Sequence, residues 1–482
     1  MGIRLRGRSK TKMEKPNILL LTTDQHNAEI LGCAGNTIVQ TPNIDALAKR
    51  GIFFTQAFTP FPLCTPARTS IFTGLEPRHH GVKHNINMNY SPGPYALAPE
   101  YIAFPELLRK TGYRTYFIGK LHTRHEEGKN FGLHITKLIE GKCHFVDSPK
   151  KQDLYRQYLI RRGYPKDIWK IWENPEYVKN GYVTSPLPEE DYIDTFIANL
   201  AIKQLEEIET PFFMWVSFCT PHNPWDPPTP YDKMYDPEKI PFPHRVIGEL
   251  ETKPRRWADQ IARTISALPA TSIDPSLPGG VENAYKRFPE DKTRRMLAAY
   301  YGEITHVDRQ IGRLLDALRK EGFLKNTLII FTSDHGEYLG NNWAFYKGSG
   351  LYDSLIRVPL ILSWPEKLPG GRKVSSLVSL VDLAPTILDA CGVHTEIRMD
   401  GDSLLPLIMG ETDSWRKELL IESGASKAIL TEKWKFIKWK DHTVELYDRI
   451  EDPHDHYNLA FDSSTRSTRE LLCKRLEAIY TR

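Results

Sequence analysis

Short apolar runs alternate with longer amphipathic segments along most of the chain. Five runs are rich in bulky or β-branched residues and show no polar alternation, a pattern typical of strands buried on both faces. These predicted strands are Asn17–Thr22, Arg114–Ile118, Phe212–Phe218, Thr327–Thr332 and Val358–Ser363. The clearest helix is predicted from about Lys292 to Lys320, where apolar residues recur at three- and four-residue steps. The alternation indicates an α/β protein with a large, mostly parallel central sheet flanked by helices.

Two segments interrupt this alternation. Leu133–Glu190 is aromatic and polar with little periodicity, and Pro221–Pro243 holds eight prolines, too many for a helix or a central strand. In α/β enzymes such insertions commonly build the walls of a functional site. A solvated excursion at the surface explains the same composition, so both interpretations stay open at this point.

The pattern changes again after about Gly410. Four short segments predict an antiparallel sheet, and a final helix is predicted from Ser467 to Tyr480. The segments are Leu419–Glu422, Ala428–Thr431, Lys435–Lys438 and Glu445–Tyr447. The predicted organisation is a basic tail (1–15), a large α/β domain (16–410) and a small C-terminal α+β domain (411–482).

Composition and charge narrow the class of protein. Of the 482 residues, 40% are hydrophobic and 26% are charged, which is typical of a globular protein in water. The net charge of +4 is small and scattered, so no nucleic-acid partner is expected. No apolar run approaches the roughly 18 residues of a membrane-spanning helix, so no membrane contact is expected. Six scattered cysteines predict neither a disulfide framework nor a zinc site.

The basic start, Met1 to Lys15, is not followed by the apolar stretch of a secretory signal. A cytoplasmic location is therefore expected for the sequence as it stands. A periplasmic or secreted location applies instead if a signal has been removed.

Polar side chains follow four of the predicted strands. In an open parallel sheet, ligands bind beyond the carboxyl ends of the strands, so we expect these groups to converge. The groups are Asp24 and His26 after the first strand, Lys120 and His122 after the second, His222 after the third, and Asp334 and His335 after the fourth.

Asp24, Asp334 and His335 are candidates to hold a divalent cation together. Two carboxylates favour Ca²⁺, Mg²⁺ or Mn²⁺, and one imidazole makes a pure Ca²⁺ site slightly less typical. Each residue also has a structural explanation, since aspartate often caps helices and histidine is common in loops. No HExxH motif or His/Cys cluster is present, so a zinc protease is not supported.

A second group of candidate functional residues lies in the segment PLCTPARTSIFTG, residues 62–74. Pro66 suits the first turn of a helix that starts after Cys64. Cys64 would then lie at the positive end of that helix, where anions bind and a thiol is acidified. Arg68 follows one turn later and would lie on the same side. A cysteine at a helix start is also commonly just a small buried residue.

The run Cys64–Arg68 (CTPAR), followed by Thr73–Gly74, resembles the C-x-P-x-R signature of formylglycine-dependent sulfatases in the alkaline phosphatase superfamily. Further blocks occur in the family's order over most of the chain. They are Asn17–Gln25, Thr41–Asp45, Gly51–Phe54, Gly119–His122, Pro221–Pro224, Ser333–Glu337, Lys347 before Arg357–Pro359, Glu445–Asp448, Asp452–Pro453 and Asn458–Leu459. The resemblance implies an alkaline-phosphatase-like fold and hydrolysis of a sulfate ester.

The resemblance also implies a modification and a cation. A separate formylglycine-generating enzyme would oxidise Cys64 to formylglycine. A divalent cation would be bound, with Ca²⁺ favoured and Mn²⁺ or Mg²⁺ as alternatives. Its implied ligands are Asp24, Asp334, His335 and the modified Cys64.

The mechanism that the resemblance implies runs through the hydrated aldehyde. One hydroxyl attacks the sulfur, and the alcohol leaves with a proton from a general acid, for which His222 and Lys347 are both candidates. A base, for which His122 is the candidate, takes the proton of the second hydroxyl, so that sulfate leaves and the aldehyde returns. Lys120, Lys347 and Arg68 are expected to neutralise the sulfate oxygens.

Two positions depart from the common sulfatase pattern. Gln25 replaces the second residue of an aspartate pair, and His335 replaces an asparagine. Both changes resemble the phosphonate monoester hydrolase and choline sulfatase branches of the superfamily, and they leave open whether Gln25 is a metal ligand. The Gly-Lys-x-His block with Lys120 and His122 is more typical of sulfatases, so a sulfate ester is preferred.

Two alternatives accompany this preference. One is a phosphonate monoester or phosphodiester hydrolase that uses the same formylglycine, and the other is a catalytically silent binder of sulfated glycans. The expected substrate is a small-molecule or saccharide sulfate ester, whose alcohol part Leu133–Glu190 and Asn223–Lys292 are expected to contact. Trp225 and Asn85 are interpreted as packing and turn residues respectively. Assembly into a homo-oligomer is left open.

Overall fold

Eight strands form one central sheet in the computed structural model. The structure describes residues 15–85, 96–124, 130–142, 154–255 except 166 and 169, 257, 261, 290–412 and 414–480. Two further strands, β3 and β10, pair with each other, and the last four form a separate sheet. The strands are β1 (Asn17–Thr23), β2 (Ile52–Phe54), β3 (Ala57–Phe58), β4 (Arg114–Gly119), β5 (Ile135–Leu138), β6 (Phe212–Ser217), β7 (Thr327–Ser333), β8 (Leu360–Ser363), β9 (Arg372–Val374), β10 (Val378–Ser379), β11 (Glu418–Glu422), β12 (Ser426–Thr431), β13 (Trp434–Trp439) and β14 (Val444–Asp448).

The central sheet has the strand order β5-β4-β6-β1-β7-β8-β2-β9. Its middle strand, β1, lies parallel to both β6 and β7, with Leu20 opposite Trp215 on one side and Ile330 on the other. All five predicted strands are present, and the mostly parallel α/β architecture is confirmed. The fifth, β8, is shorter than predicted and runs antiparallel to both β7 and β2.

Helices cover both faces of this sheet. The described α-helices are Pro42–Arg50, Cys64–Thr73, Pro77–His80, Phe104–Lys110, Leu154–Arg161, Pro175–Asn180, Ile193–Glu206, Glu290–Lys320, Asp353–Ile356, Leu383–Ala390, Leu404–Met409 and Arg466–Tyr480. Leu19 and Leu21 of β1 pack towards the helix Glu290–Lys320, whereas Ile18 and Leu20 pack towards the helix Cys64–Thr73. The strand therefore has no polar face, which is why its sequence shows no alternation.

The two irregular segments contact each other. The backbone N–H of Val183 donates to the carbonyl of Trp225 at 3.0 Å, and that of Ser185 donates to the carbonyl of Pro227 at 3.1 Å. Trp225 is fully buried beside Tyr300, so its predicted packing role is confirmed. The proline-rich segment also carries His222 into the site described below, which favours the wall interpretation over a solvated excursion. Residues 262–289 of the second predicted insertion lie outside the described part.

The C-terminal strands β11 to β14 form the predicted antiparallel sheet. One face packs on the last helix through residues such as Phe436 and Leu472, and the other packs on the main body through Ile437 and Tyr447. The division of the chain at residue 410 stays a prediction.

Other expectations concern the tail, the cysteines and membranes. The predicted basic tail lies outside the described residues, apart from Lys15. Five described cysteines (Cys33, Cys64, Cys219, Cys391 and Cys473) are free thiols. Among the described helices, none is long and apolar enough to cross a membrane.

Candidate active site

The carboxyl ends of β1, β4, β6 and β7 deliver polar side chains to one edge of the sheet. Asp24 follows β1, Lys120 follows β4, His222 lies beyond β6, and Asp334 follows β7. Because these strands are parallel neighbours, the convergence predicted by the strand-end rule occurs.

Cys64 lies at the centre of this group as the first residue of the helix Cys64–Thr73. Its side chain is fully buried. Its Sγ lies 3.0 Å from Lys347 Nζ, 3.3 Å from His335 Nε2 and 3.8 Å from Asp24 Oδ1. The next backbone N–H, that of Thr65, donates to Asn85 Oδ1 at 3.0 Å. Asn85 therefore fixes the start of this helix, a role beyond that of the predicted turn residue.

Arg68 lies one turn along the same helix and joins the two carboxylates. Its Nη2 donates to Asp24 Oδ2 and its Nε to Asp334 Oδ2, both at 2.9 Å. Nη1 donates to the Lys120 carbonyl and, at 2.8 Å, to Ser217 Oγ. The guanidinium is thus engaged by four protein oxygens and orients Asp24 and Asp334. A contact between Arg68 and sulfate stays a prediction.

The site favours negative charge at position 64. Burial alone would raise the pKa of the Cys64 thiol, but Lys347, Lys120, His335 and a hydrogen bond with His122 together hold this pKa well below its usual range. Asp24 behaves in the same way. Burial and Cys64 raise the pKa of its carboxyl, but Lys120, His222 and Arg68 together hold it well below its usual value.

His222 and Lys347 form a hydrogen-bonded pair in which the donor and the acceptor can be assigned. The Nζ of Lys347 lies 3.0 Å from His222 Nε2, and the other ring nitrogen, Nδ1, lies 2.6 Å from the Asn223 carbonyl. An ammonium only donates hydrogen bonds, so Nε2 is the acceptor and Nδ1 carries the proton. Burial and the cations Lys347 and Lys120 lower the pKa of His222 to about 4, which agrees with a neutral ring.

Lys120 and His122 both reach the site after β4. Lys120 Nζ lies 2.8 Å from Asp24 Oδ2, so this lysine pairs with the carboxylate that Arg68 also holds. His122 has a left-handed backbone conformation, with φ of 44°, and its carbonyl accepts from Thr65 Oγ1 at 2.7 Å. The predicted site residues Asp24, Cys64, Arg68, Lys120, His122, His222, Asp334, His335 and Lys347 therefore lie in one cluster.

Gly119 permits the turn that places Lys120. Its φ is 115°, and a Cβ at this position would lie 1.8 Å from the Ser217 carbonyl oxygen. We expect Gly119→Ala to lower the free energy of unfolding by about 3 kcal/mol, because backbone strain and a clash with rigid backbone combine. Urea unfolding measures this difference. Gly112→Ala is the matched control, since Gly112 also has positive φ, 91°, but open space around it. Equal losses in the two variants would contradict the explanation.

The residues of the centre fit a divalent cation. One ligand atom from each of Asp24, Cys64, Asp334 and His335 lies within 4.8 Å of the others, and all four side chains are buried. Nδ1 of His335 donates to the Gly336 carbonyl at 2.9 Å, so in the neutral ring the lone pair of Nε2 faces the site, 3.3 Å from Cys64 Sγ. Two carboxylates and one imidazole suit a cation that accepts oxygen ligands.

The sequence did not identify Gln25 and Glu337 as partners. Gln25 has φ of 64°, its Nε2 donates to a Glu337 carboxylate oxygen, and its backbone N–H donates to Asp334 Oδ1 at 3.1 Å. Within the described residues, the buried Oε1 of Gln25 has no hydrogen-bond partner, so it is available to a cation or a water. Burial raises the pKa of Glu337 to about 7, although the Gln25 hydrogen bond opposes this.

A mostly parallel sheet that brings a buried cysteine, two carboxylates and several cations together at its carboxyl edge resembles the hydrolases of the alkaline phosphatase superfamily. The chain belongs to the sulfatase family. The family model described as "Sulfatase" matches residues 16–393. The model described as "N-sulphoglucosamine sulphohydrolase, C-terminal" matches residues 341–482. The predicted family, its fold and the class of sulfuric ester hydrolases are thereby confirmed.

Individual relatives agree with this assignment. The chain is 31% identical to an arylsulfatase of Clostridium perfringens, over 96% of this chain and 95% of the relative. It is 26% identical to an N-acetylglucosamine-6-O-sulfatase of Bacteroides thetaiotaomicron, over 93% of this chain and 83% of the relative. Among solved structures, the phosphonate monoester hydrolase of Agrobacterium radiobacter aligns with a TM-score of 0.79 and 27% identity, covering 97% of this chain and 96% of that one.

Proposed function

We propose that the protein hydrolyses sulfate esters with a formylglycine made from Cys64. The observation that carries this proposal is the position of the Cys64 side chain, which is buried at a helix start and lies within 3.8 Å of Asp24, His335 and Lys347. Oxidised to the aldehyde and hydrated, this side chain would supply one hydroxyl to attack the sulfur and a second whose proton is lost when sulfate leaves.

A divalent cation fits this arrangement, with Ca²⁺ as the proposed ion. Asp24, Asp334, His335 and the side chain at position 64 would hold it, and the unpartnered Oε1 of Gln25 is a further candidate ligand. When bound, the cation would supply Lewis-acid stabilisation of negative charge at the reacting oxygens.

The pair of Lys347 and His222 supplies the proton for the leaving alcohol. Lys347 carries the shared proton, because His222 Nε2 accepts from it and the ring is held neutral. We therefore propose Lys347 as the general acid and His222 as the residue that orients it. His122 hydrogen-bonds position 64 and is the proposed base for the release of sulfate. Arg68 and Lys120 orient Asp24 and Asp334.

Mass spectrometry of the tryptic peptide Gly51–Arg68 from the native host tests the modification directly. We expect a peptide lighter than the unmodified form by the replacement of the CH₂SH group with an aldehyde. An intact thiol throughout, in a host that contains a formylglycine-generating enzyme, would contradict the proposal. It would favour the catalytically silent binder, for which Cys64→Ala should leave glycan affinity unchanged.

A phosphonate monoester hydrolase remains the second candidate, and two observations favour it. Gln25 and His335 depart from the common sulfatase pattern, and a solved phosphonate monoester hydrolase aligns over nearly the whole chain. Parallel measurements of kcat/KM on an aryl sulfate and on an aryl phosphonate monoester separate the two activities. We expect the sulfate to be the better substrate, and a large advantage of the phosphonate would overturn this.

Sulfated saccharides are the proposed natural substrates. One relative is named an N-acetylglucosamine-6-O-sulfatase, and a solved structure of the same fold is described in complex with D-glucosamine-2-N,6-O-disulfate. A saccharide alcohol is a poor leaving group that needs a proton, which agrees with the paired Lys347 and His222.

The role of Lys347 gives a prediction about leaving groups. Lys347→Ala should lower kcat on a saccharide sulfate by about 10²- to 10⁴-fold but much less on an aryl sulfate with an acidic phenol, because only the saccharide alcohol needs protonation. A series of aryl sulfates with increasing phenol pKa measures this as a steeper leaving-group dependence. Lys325→Ala is the control, since Lys325 is exposed at the opposite end of β7. A uniform loss across the series would argue against a general acid at Lys347.

A further inference from the structure

Three side chains from distant parts of the sequence meet outside the Cys64 centre. We propose that Glu29, His244 and His454 form a second metal site, which takes a transition-metal ion such as Zn²⁺. One ligand atom from each residue lies within 4.8 Å of the other two. This inference does not depend on the proposed sulfatase mechanism.

The donor set distinguishes this site from the Cys64 centre. Two imidazoles and one carboxylate suit Zn²⁺, Co²⁺, Ni²⁺ or Cu²⁺, whereas Ca²⁺ prefers oxygen ligands. His244 is exposed, and Glu29 and His454 are partly exposed, so an ion can enter from solvent. We therefore expect Zn²⁺ to bind here even when Ca²⁺ is in large excess.

The backbones of both histidines are held by one pair of asparagines. The N–H of His244 donates to Asn341 Oδ1 at 2.7 Å, and the N–H of Asn342 donates to the His244 carbonyl at 3.1 Å. Asn342 Nδ2 donates to the His454 carbonyl at 2.9 Å. Because a single turn fixes both residues, little backbone freedom is lost when an ion binds.

The carboxylate of the site is also oriented. Arg357 Nη2 donates to Glu29 Oε1 at 2.7 Å, and the same oxygen lies 4.0 Å from His454 Nδ1, so Oε1 faces the histidines and keeps a second lone pair for an ion. Arg357 is shared with the carboxylate of Asp353, which offsets its positive charge beside the site.

The two imidazole rings are stacked, with centroids 3.6 Å apart and an angle of 11° between the planes. Stacked rings direct their lone pairs in nearly parallel directions. One ring must rotate so that both nitrogens face the same ion, and the exposure of His244 leaves space for this rotation. Because the two rings already lie beside each other, this rotation changes only the side chain that turns.

An ion bound at this site would stabilise the backbone segment that carries Lys347. Between His335 and Lys347, four residues other than glycine have a left-handed backbone conformation. They are Leu339, Asn342, Trp343 and Tyr346, with φ values of 53°, 50°, 64° and 64°. Such conformations are costly and persist only when neighbouring contacts hold them. Asn342 is one of these residues and contacts both histidines, so bound Zn²⁺ should slow opening of this segment.

Another His/carboxylate group supplies a matched comparison. Glu76, His79 and Asp400 also lie close together, and His79 is partly buried. However, His79 Nδ1 contacts Asp400 at 2.6 Å, and its Nε2 contacts the Arg398 guanidinium at 3.3 Å. Both ring nitrogens are occupied, so His79→Ala should leave Zn²⁺ binding unchanged.

Calorimetric titration with Zn²⁺ tests the site on the full chain, after chelation and reloading with excess Ca²⁺. We expect one Zn²⁺ per chain in the wild type and in His79→Ala, and affinity weaker by about tenfold or more in His244→Ala, His454→Ala and Glu29→Gln. Equal affinity in all variants, or no Zn²⁺ binding to the wild type, would overturn the proposal.

Two measurements on the wild type test the proposed site without relying on variants, which could misfold. Co²⁺ should give the visible absorption of a nitrogen-ligated ion, and this band should survive excess Ca²⁺ but not excess Zn²⁺. Hydrogen exchange with and without Zn²⁺ should show added protection in residues 336–347. A spectrum without nitrogen ligands would contradict the assignment.

Discussion

Replacing Cys64 with alanine is expected to lower kcat for an aryl sulfate by a factor on the order of 10⁴ or more, because the proposed covalent step would lose its nucleophile. The rest of the site stays in place, since Arg68 holds Asp24 and Asp334 without help from the thiol. The variant should therefore remain folded and inactive. Initial rates with excess Ca²⁺, together with a thermal unfolding curve, measure both properties.

Cys391→Ala is the matched control for this experiment. Cys391 is also a buried free thiol, but it lies at the end of the helix Leu383–Ala390, outside the cluster. Removing it should cost stability through a small cavity and leave kcat within about twofold of the wild type. If Cys64→Ala kept more than about one hundredth of the wild-type kcat, position 64 would not supply the nucleophile.

The central part of the fold is predictable because its strands are buried on both faces. In β1 and β7 every residue is buried, and each has four consecutive apolar residues at its centre, Ile18–Leu21 and Leu328–Phe331, without polar alternation. The direction of β8 is not predictable in this way. Its buried residues look like those of a parallel strand, and only its pairing with β7 and β2 reveals the antiparallel direction.

The short strands are missed for a different reason. β2 and β9 have three residues each, and β5 is partly exposed at the edge of the sheet. Three residues carry too little pattern to distinguish a strand from a turn. These strands exist because neighbouring strands supply their hydrogen bonds, which is information from tertiary structure.

The site shows the same division between local and long-range information. The strand-end rule located Asp24, Lys120 and Asp334, because it depends only on where each strand ends. It could not give the contact between Gln25 and Glu337, which joins residues 312 positions apart. The four partners of Arg68 were also hidden, since they come from four different segments.

The second large effect is expected at Lys435 in the C-terminal sheet. Lys435 is fully buried, and its Nζ lies 2.6 Å from Asp455 Oδ2 and 3.7 Å from Asp353 Oδ1. Lys435→Met would leave the buried Asp455 carboxylate without its cation, and we expect the free energy of unfolding to fall by about 3 to 5 kcal/mol. Chemical denaturation of the full chain measures the difference.

Lys438→Met is the matched control on the same strand, β13. Lys438 pairs with Glu477 at the surface, so its loss should cost less than about 1 kcal/mol. Adding Asp455→Asn to Lys435→Met should restore part of the stability, because the amide needs no counter-ion and tolerates the positive φ of 60° at position 455. Equal losses for Lys435→Met and Lys438→Met would contradict the buried-charge explanation. A large loss at Lys435 alone would support the explanation that the buried Asp455 carboxylate needs this cation, which also lies 3.7 Å from Asp353 of the main body.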